Sequence, residues 1–249
     1  LVISIIVGVA FPFLYGGEFI LLVTMGVGLA CWVQLVVLKE IYNQINSGNE
    51  KWNFSKLSLS QLGMTVAHTG IAITIVGVTL VSVYESETNV KMALHEKVII
   101  SGYEIEFKGI KHVEGPNYSA EQGQINIYKV TGENESDFVT LLKPERRSYR
   151  VQTMGMTEAG IDAGLFRDVY VALGDPLPGG AWAIRVHYKP FVRWIWLGAI
   201  FMSIGGILSM LDKRYRRRKP AEAKSPVVAD SLTRTITAST ARSVNGSEA

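Results

Sequence analysis

Residues 57–84 read LSLSQLGMTVAHTGIAITIVGVTLVSVY and contain no Asp, Glu, Lys or Arg. A helix needs about 20 mostly apolar residues to cross the hydrocarbon core of a bilayer, and this run is long enough. Three further runs also lack charged residues: 1–17, 19–38 and 194–211. The sequence therefore predicts a polytopic α-helical membrane protein with about four helices.

Between the third and fourth apolar runs, residues 85–190 have a different pattern. Segments such as GQINIYKV, FRDVYVALG and AWAIRVHY are rich in β-branched and aromatic residues and are bounded by Gly, Pro or Asn. This pattern is typical of short strands separated by turns. We expect an inserted, mostly-β domain built as an antiparallel sheet or a small barrel.

A cluster of basic residues directly after the fourth apolar run predicts the orientation in the membrane. Basic residues next to a span favour the cytoplasmic side, so we expect a cytoplasmic C-terminus and an extracytoplasmic domain at 85–190. This interpretation is stronger than nucleic-acid binding, because the cluster adjoins a span and the net charge is only +3. The cluster consists of Lys213, Arg214, Arg216, Arg217, Arg218 and Lys219.

The N-terminal run has no initiator Met, no basic segment before it and no Ala-x-Ala cleavage pattern, which argues against a signal peptide. We therefore expect this chain to be the C-terminal part of a longer polypeptide. The predicted organisation is transmembrane helices within 1–84, the β-rich domain at 85–190, a last transmembrane helix at 191–211, and a basic then disordered cytoplasmic tail at 212–249. The first three helices are expected at about 1–17, 19–38 and 61–83.

Small residues recur at four-residue spacing in the last two apolar runs, as in Gly63 and Ala67 and again in Gly205 and Ser209. Such spacing lets the backbones of two membrane helices approach closely. It predicts that these helices pack against partners.

His68 is a polar residue inside an apolar run and needs a partner there. One explanation is a hydrogen bond to a neighbouring helix, and another is ligation of a metal or haem iron, with Gly63, Ala67 and Gly70 leaving room for a flat macrocycle. A proton relay is less favoured, because none of the four apolar runs contains Asp or Glu. His95, His112 and His187 fall in the predicted outer domain, where we do not expect them to be ligands.

Several phrases in order resemble one known family. They are GMTVAHTG, EGPNY, PERRSY, MTEAGID, RDVYVALG and KPFVRWIWLGAIFMSIGG, and they cover most of residues 60–215. Together they resemble the CcmF family, the haem-lyase component of cytochrome c maturation, and its relatives that serve nitrite-reductase cytochromes.

The resemblance implies a membrane subunit of a haem lyase in the bacterial inner (plasma) membrane. Such a subunit takes haem from a membrane-tethered haem chaperone, works with a small haem-lyase partner subunit, and promotes thioether attachment of haem to the Cys-x-x-Cys-His motif of an apocytochrome c. The resemblance also implies a b-type haem within the membrane domain that supplies electrons. In the family one axial histidine stands in the phrase that matches this chain at His68, so the resemblance implies that His68 ligates haem b.

The family's Trp-rich loop, its outer haem-binding histidines and the second b-haem ligand have no counterpart in this chain, whose five tryptophans form no such cluster. The resemblance therefore implies that the missing N-terminal half is a partner and that this chain is not catalytically complete. A different interpretation is a membrane-anchored extracytoplasmic binding or haem-transport module without its own cofactor, in which His68 is only a packed polar residue.

The matching phrases in the outer domain also contain charged residues. Arg146 and Arg147 suit haem propionates by charge, but solvated positions at a sheet edge are the commoner role for such residues. Glu158 and Asp162 are four residues apart, which does not by itself make an acid/base pair. We assign no catalytic residue.

Overall fold

The computed structural model describes residues 1–46, 58–132, 135–151 and 155–212. Within these ranges the chain forms four helices and ten strands. In chain order they are α1 (Val2–Gly16), α2 (Leu21–Ile45), α3 (Leu59–Tyr84), β1 (Ser86–Met92), β2 (Lys97–Ile100), β3 (Tyr103–Glu114), β4 (Tyr118–Val130), β5 (Ser136–Leu142), β6 (Glu145–Tyr149), β7 (Met156–Glu158), β8 (Gly160–Ala163), β9 (Arg167–Pro176), β10 (Trp182–Pro190) and α4 (Val192–Met210).

Three of these helices, α2, α3 and α4, are long and apolar enough to cross a membrane. Helix α1 is shorter, with 15 residues and an internal Pro12. The predicted fold class, a helical membrane protein with an inserted mostly-β domain, is confirmed. The basic cluster and the tail predicted from Lys213 onward lie outside the described residues.

The ends of two helices differ from the ends expected from the sequence, which were about 61 for the start of α3 and about 38 for the end of α2. Helix α3 begins at Leu59 because Ser58 and Gln61 form a capping box, in which the Gln61 amide N–H donates to Ser58 Oγ (3.2 Å) and the Ser58 amide N–H donates to Gln61 Oε1 (2.9 Å). Helix α2 continues past the apolar run to Ile45, and there Gln44 Nε2 donates to Glu40 Oε1 (2.7 Å). Caps and polar side-chain pairs set these helix ends, while the apolar run sets only the part that can span.

Helices α3 and α4 pack with their backbones in direct contact. A Cβ added at Gly70 would lie 2.6 Å from the Gly198 carbonyl oxygen, and one added at Gly198 would lie 2.5 Å from the Gly70 carbonyl oxygen. Gly63 and Gly205 form a second close backbone contact of the same kind. Such close approach maximises van der Waals contact in a medium where the hydrophobic effect does not drive helices together.

The outer domain consists of two antiparallel sheets. One sheet has the strand order β1-β10-β9-β8, and the other has the order β2-β3-β4-β6-β7, with β5 also paired to β4. All strand pairs among the described residues are antiparallel. The domain is therefore a sandwich of two sheets, where the strand pattern had suggested one sheet or a small barrel.

The core of the sandwich lies between the two sheets. Phe107, Ile125 and Ile127 project from one sheet, and Val171 and Val186 project from the other into the same buried cluster. Alternate residues along these strands face this core, which explains the period-two pattern in the sequence.

Single residues connect the sandwich to the helices. Glu85 lies between α3 and β1, and Phe191 lies between β10 and α4 in a left-handed conformation with φ of 55°. Strands β1 and β10 pair directly from Ser86 opposite Tyr188. Two adjacent strands thus continue into two adjacent helices.

Replacing Gly205 with Ala should weaken the packing of α3 against α4. The added methyl carbon would lie 2.5 Å from both the Gly63 carbonyl oxygen and the Ala67 amide nitrogen. Overpacking of this kind costs roughly 1–3 kcal/mol. Thermal unfolding of the detergent-solubilised protein, followed by tryptophan fluorescence, should show a lower midpoint.

The matched control is Gly206→Ala, because an added Cβ at this position meets nothing within 4 Å. Alanine favours a helix over glycine by about 1 kcal/mol, so this variant should unfold at the wild-type temperature or slightly above it. Equal losses in the two variants would contradict the backbone contact.

Candidate functional site

His68 lies within α3, nine residues after Leu59. At 1.5 Å per residue it is about 14 Å along the helix axis from that end. Its side chain is exposed, as are those of Met64, Ile71 and Val78, which lie along the same side of α3. We call this row of four residues the His68 stripe; the described helices leave it uncovered.

The imidazole of His68 is held by its own helix. Nδ1 lies 2.8 Å from the carbonyl oxygen of Met64, one turn earlier. A carbonyl oxygen can only accept a hydrogen bond, so Nδ1 carries the hydrogen and donates it. In the neutral ring Nε2 then carries the lone pair, and a hydrogen bond from Nδ1–H to a backbone carbonyl is a common way to orient a metal-ligating histidine.

The small residues near His68 in the sequence lie on another side of the helix. Gly63, Ala67 and Gly70 face α4, and added Cβ atoms at Gly63 and Gly70 would meet its backbone. The expectation that these residues leave room for a macrocycle is therefore wrong, because α4 occupies that space. Any room beside His68 comes from the uncovered stripe.

The other three histidines lie in the sandwich. His95 follows β1 with φ of 64°, His112 Nε2 is 3.1 Å from Glu114 Oε1, and His187 Nδ1 is 3.7 Å from Glu87 Oε2. Across the described ranges no group of three or more His, Cys, Asp or Glu is placed to hold a metal ion. Of the four histidines, His68 is the one that lies in an apolar helix, where its imidazole could supply a nitrogen ligand to a cofactor.

Arg147 pairs with carboxylates of the sandwich itself. Its Nε donates to Glu145 Oε2 (2.8 Å), its Nη1 donates to Glu158 Oε1 (3.3 Å), and the guanidinium lies 4.7 Å from the ring centroid of Tyr118. Arg146 makes a more exposed pair with Asp175 (2.9 Å). Both arginines of PERRSY thus join strands, and Arg147 does so in the more enclosed setting.

The two carboxylates of MTEAGID belong to different sheets. Glu158 is on β7 beside Arg147, whereas Asp162 is on β8 and accepts a hydrogen bond from Arg167 Nη1. Their four-residue spacing does not place them on one face of a helix, because both residues lie in strands. Each carboxylate neutralises an arginine, and the two do not form a catalytic pair.

Sequence reasoning missed a polar contact between the sandwich and α4. Asp168 on β9 is 3% exposed and accepts from the Gly164 amide N–H (3.0 Å) and from Arg193 Nε (3.0 Å). Arg193 is in the first turn of α4. The available signal was an acidic residue inside the strand phrase FRDVYVALG, which requires a partner when buried.

Comparisons with known proteins agree with this architecture. The family model described as the CcmF C-terminal beta-sandwich matches residues 83–190. A curated relative, the cytochrome c-type biogenesis protein CcmF of Pseudomonas aeruginosa, is 43% identical over 203 residues, which are 82% of this chain and 30% of that protein. The chain belongs to the CcmF family. CcmF of Escherichia coli is 36% identical over 223 residues, 90% of this chain and 33% of that protein.

The fold comparison gives the same result. The solved structure titled "Cytochrome c Heme Lyase CcmF" matches with a TM-score of 0.68 at 14% identity, covering 84% of this chain and 33% of that one. At this identity the match supports the fold alone. This CcmF-family chain spans about a third of the length of the relatives it matches.

Replacing Arg147 with Met should destabilise the sandwich, because it leaves Glu145 and Glu158 without their shared guanidinium. We expect a loss of about 1.5–3 kcal/mol, as for hydrogen bonds to charged groups. Arg146→Met is the control and should cost about 0.5 kcal/mol or less, since its partner Asp175 is largely exposed. Thermal unfolding of the two variants tests this, and the reverse ranking would contradict the assigned contacts.

The pH dependence of stability should include a contribution from Glu145. Hydrogen bonds from Gln122 Nε2 (2.7 Å) and then Arg147 lower the pKa of this carboxyl below its usual value. Its contribution is therefore fully present above the unfolded-state pKa of about 4.3 and is lost as the pH falls through the lower folded-state pKa. Glu145→Gln should make the unfolding midpoint less dependent on pH below about 4.3. Parallel pH profiles for the variant and the wild type would contradict this.

Proposed function

We propose that this chain is the C-terminal portion of the membrane subunit of a haem lyase in c-type cytochrome biogenesis. Family membership supports the proposal, since the curated relatives are named cytochrome c-type biogenesis proteins and the matching structure is titled as a haem lyase. As one third of the relatives' length, the chain supplies part of the machinery, and its N-terminal partner segment supplies the rest.

The proposal includes His68 as one axial ligand of a b-type haem. The observation that carries it is the hydrogen bond from His68 Nδ1–H to the Met64 carbonyl oxygen, which leaves the Nε2 lone pair of an exposed side chain available. The second ligand comes from outside this chain. When bound, such a haem supplies single electrons to the assembly.

What the protein does for that haem follows from the His68 stripe. The Met64 carbonyl fixes the ring orientation and the tautomer, so little reorganisation is needed for ligation. Met64, Ile71 and Val78 provide an apolar surface beside the ligand and exclude water from it.

The proposed reaction is attachment of haem to an apocytochrome c. Each cysteine S–H of the Cys-x-x-Cys-His motif adds across a haem vinyl double bond, so that one carbon bonds to sulfur and the other receives the hydrogen. This addition needs no net oxidant or reductant. Haem arrives from the membrane-tethered haem chaperone, and the small haem-lyase partner subunit acts with this one.

We place the protein in the bacterial inner membrane, with the domain at 85–190 outside the cytoplasm and the C-terminus inside. The basic residues after 212 in the sequence support this orientation. The sandwich then lies on the side where apocytochromes receive haem, and it serves as a scaffold or docking surface for the chaperone, the partner subunit or the apocytochrome.

The test is a reduced-minus-oxidised absorption spectrum of the complete assembly, purified under haem-replete conditions. Replacing His68 with Ala should abolish the b-type spectrum or change its coordination, because it removes the only nitrogen ligand that α3 offers. Added imidazole should restore part of the spectrum by filling the vacated ligand position.

His112→Ala is the matched control, since this histidine is exposed on the sandwich and should leave the spectrum unchanged. A spectrum that His68→Ala does not alter would remove His68 as a ligand. A colourless assembly would favour the alternative of a membrane-anchored binding or haem-transport module without its own cofactor.

A further inference from the structure

The turn between β8 and β9 carries two large apolar residues at its tip. Gly164 and Arg167 close the turn through a backbone hydrogen bond of 2.9 Å, and Leu165 and Phe166 lie between them. Each of these two side chains is 57% exposed. Tight turns in water usually carry Gly, Asn, Asp, Ser or Pro, so two bulky apolar residues at an exposed tip require another environment.

The position of this turn is fixed against the start of α4. The Phe191 amide N–H donates to the Phe166 carbonyl oxygen (2.9 Å), and the Phe166 ring centroid is 5.8 Å from that of Phe191 and 6.2 Å from that of Trp194. Because Phe191 precedes α4 directly, the turn lies beside the first residues of this helix.

Leu165 extends further along α4. It lines an open cavity of about 460 Å³ together with Trp196, Leu197 and Ile200, and the polar residues Asp168, Tyr170 and Arg193 also line this cavity. Ile200 is about 12 Å from the first residue of the helix at 1.5 Å per residue. Leu165 and these three α4 residues therefore face the same open cavity.

The adjoining surface of α4 has the composition of a lipid-facing surface. Trp196, Ile200, Ile204 and Ile207 are exposed along one side of the helix and are all large. The packed side of the same helix instead uses Gly198 and Gly205. Membrane helices use small residues where they contact each other, so a row of large apolar residues favours lipid as the neighbour.

From this placement we propose that the β8–β9 turn inserts into the outer leaflet of the bilayer. Leu165 and Phe166 enter the apolar region beside α4, and a lipid acyl chain fills the cavity between Leu165 and Ile200. Arg193, in the first turn of α4, lines the same cavity and lies at the depth of the lipid headgroups. Trp196, one turn further along the helix, also favours the membrane–water interface. The sandwich is thereby attached to the membrane at a third point besides α3 and α4.

The test places an environment-sensitive nitrobenzoxadiazole fluorophore on Leu165→Cys in the full-length protein, with Cys31 and any other reactive cysteines replaced. The protein is reconstituted into phosphatidylcholine vesicles with and without lipids brominated near the headgroup end of the acyl chain. We expect blue-shifted emission that brominated lipid strongly quenches and that aqueous iodide quenches little.

Leu94→Cys is the matched control. Leu94 is 58% exposed, but it follows the end of β1 farthest from α3. Its probe should be quenched by iodide and unaffected by brominated lipid. Phe166→Cys provides a second position in the turn and should behave like Leu165→Cys.

Two results would overturn the proposal. Quenching of the Leu165 probe by iodide, as at Leu94, would mean that the turn lies in water. A blue-shifted probe that neither quencher reaches would mean that protein, from the rest of the chain or a partner, covers the turn.

Discussion

The backbone contact between α3 and α4 is the constraint on which the rest of this chain depends. The two helices are separated in sequence by the entire sandwich, yet Gly63 and Gly70 bring α3 within contact distance of Gly205 and Gly198. Because β1 follows α3 and β10 precedes α4, the contact also sets where the sandwich begins and ends. The antiparallel pairing of these two strands extends the helix pair beyond the membrane.

The same contact decides how α3 presents His68. Glycine and alanine occupy the side of α3 that faces α4, so the larger residues of the His68 stripe project away from it. A helix that used one surface for both purposes would lose either its close packing or its exposed imidazole. The hydrogen bond to Met64 then orients the ring without help from a second helix, so the orientation of the imidazole is set within one turn of α3.

The sequence predicted those features that depend on short-range chemistry. Charge-free runs identify membrane helices because a bilayer imposes both length and composition, and strand alternation identifies the β domain. Helix ends were predicted less well, since the Ser58–Gln61 cap and the polar extension of α2 are local exceptions to hydropathy. The division of the strands into two sheets depends on pairings between residues that are distant in sequence. The Asp168–Arg193 contact has the same origin. Hydrophobic periodicity describes only neighbouring residues, so it predicts neither feature.

The candidate site was likewise predicted only in those features that depend on short stretches of sequence. An intramembrane histidine is visible in the sequence, but which helix side carries it is not, and the small residues beside it in sequence belong to a different contact. No catalytic residue was assigned to the charged phrases PERRSY and MTEAGID, and the structure pairs their charged residues across strands. Residue types in a line of sequence do not reveal which of them share a surface.

The single-residue connections at Glu85 and Phe191 have a mechanical consequence. Because each connection is one residue long, a force on β1 and β10 is transmitted directly to α3 and α4. The glycine contacts between these two helices keep them together as they move. Tilting the sandwich must therefore tilt or shear the helix pair, and the position of His68 within the membrane is coupled to whatever pushes on the domain outside it.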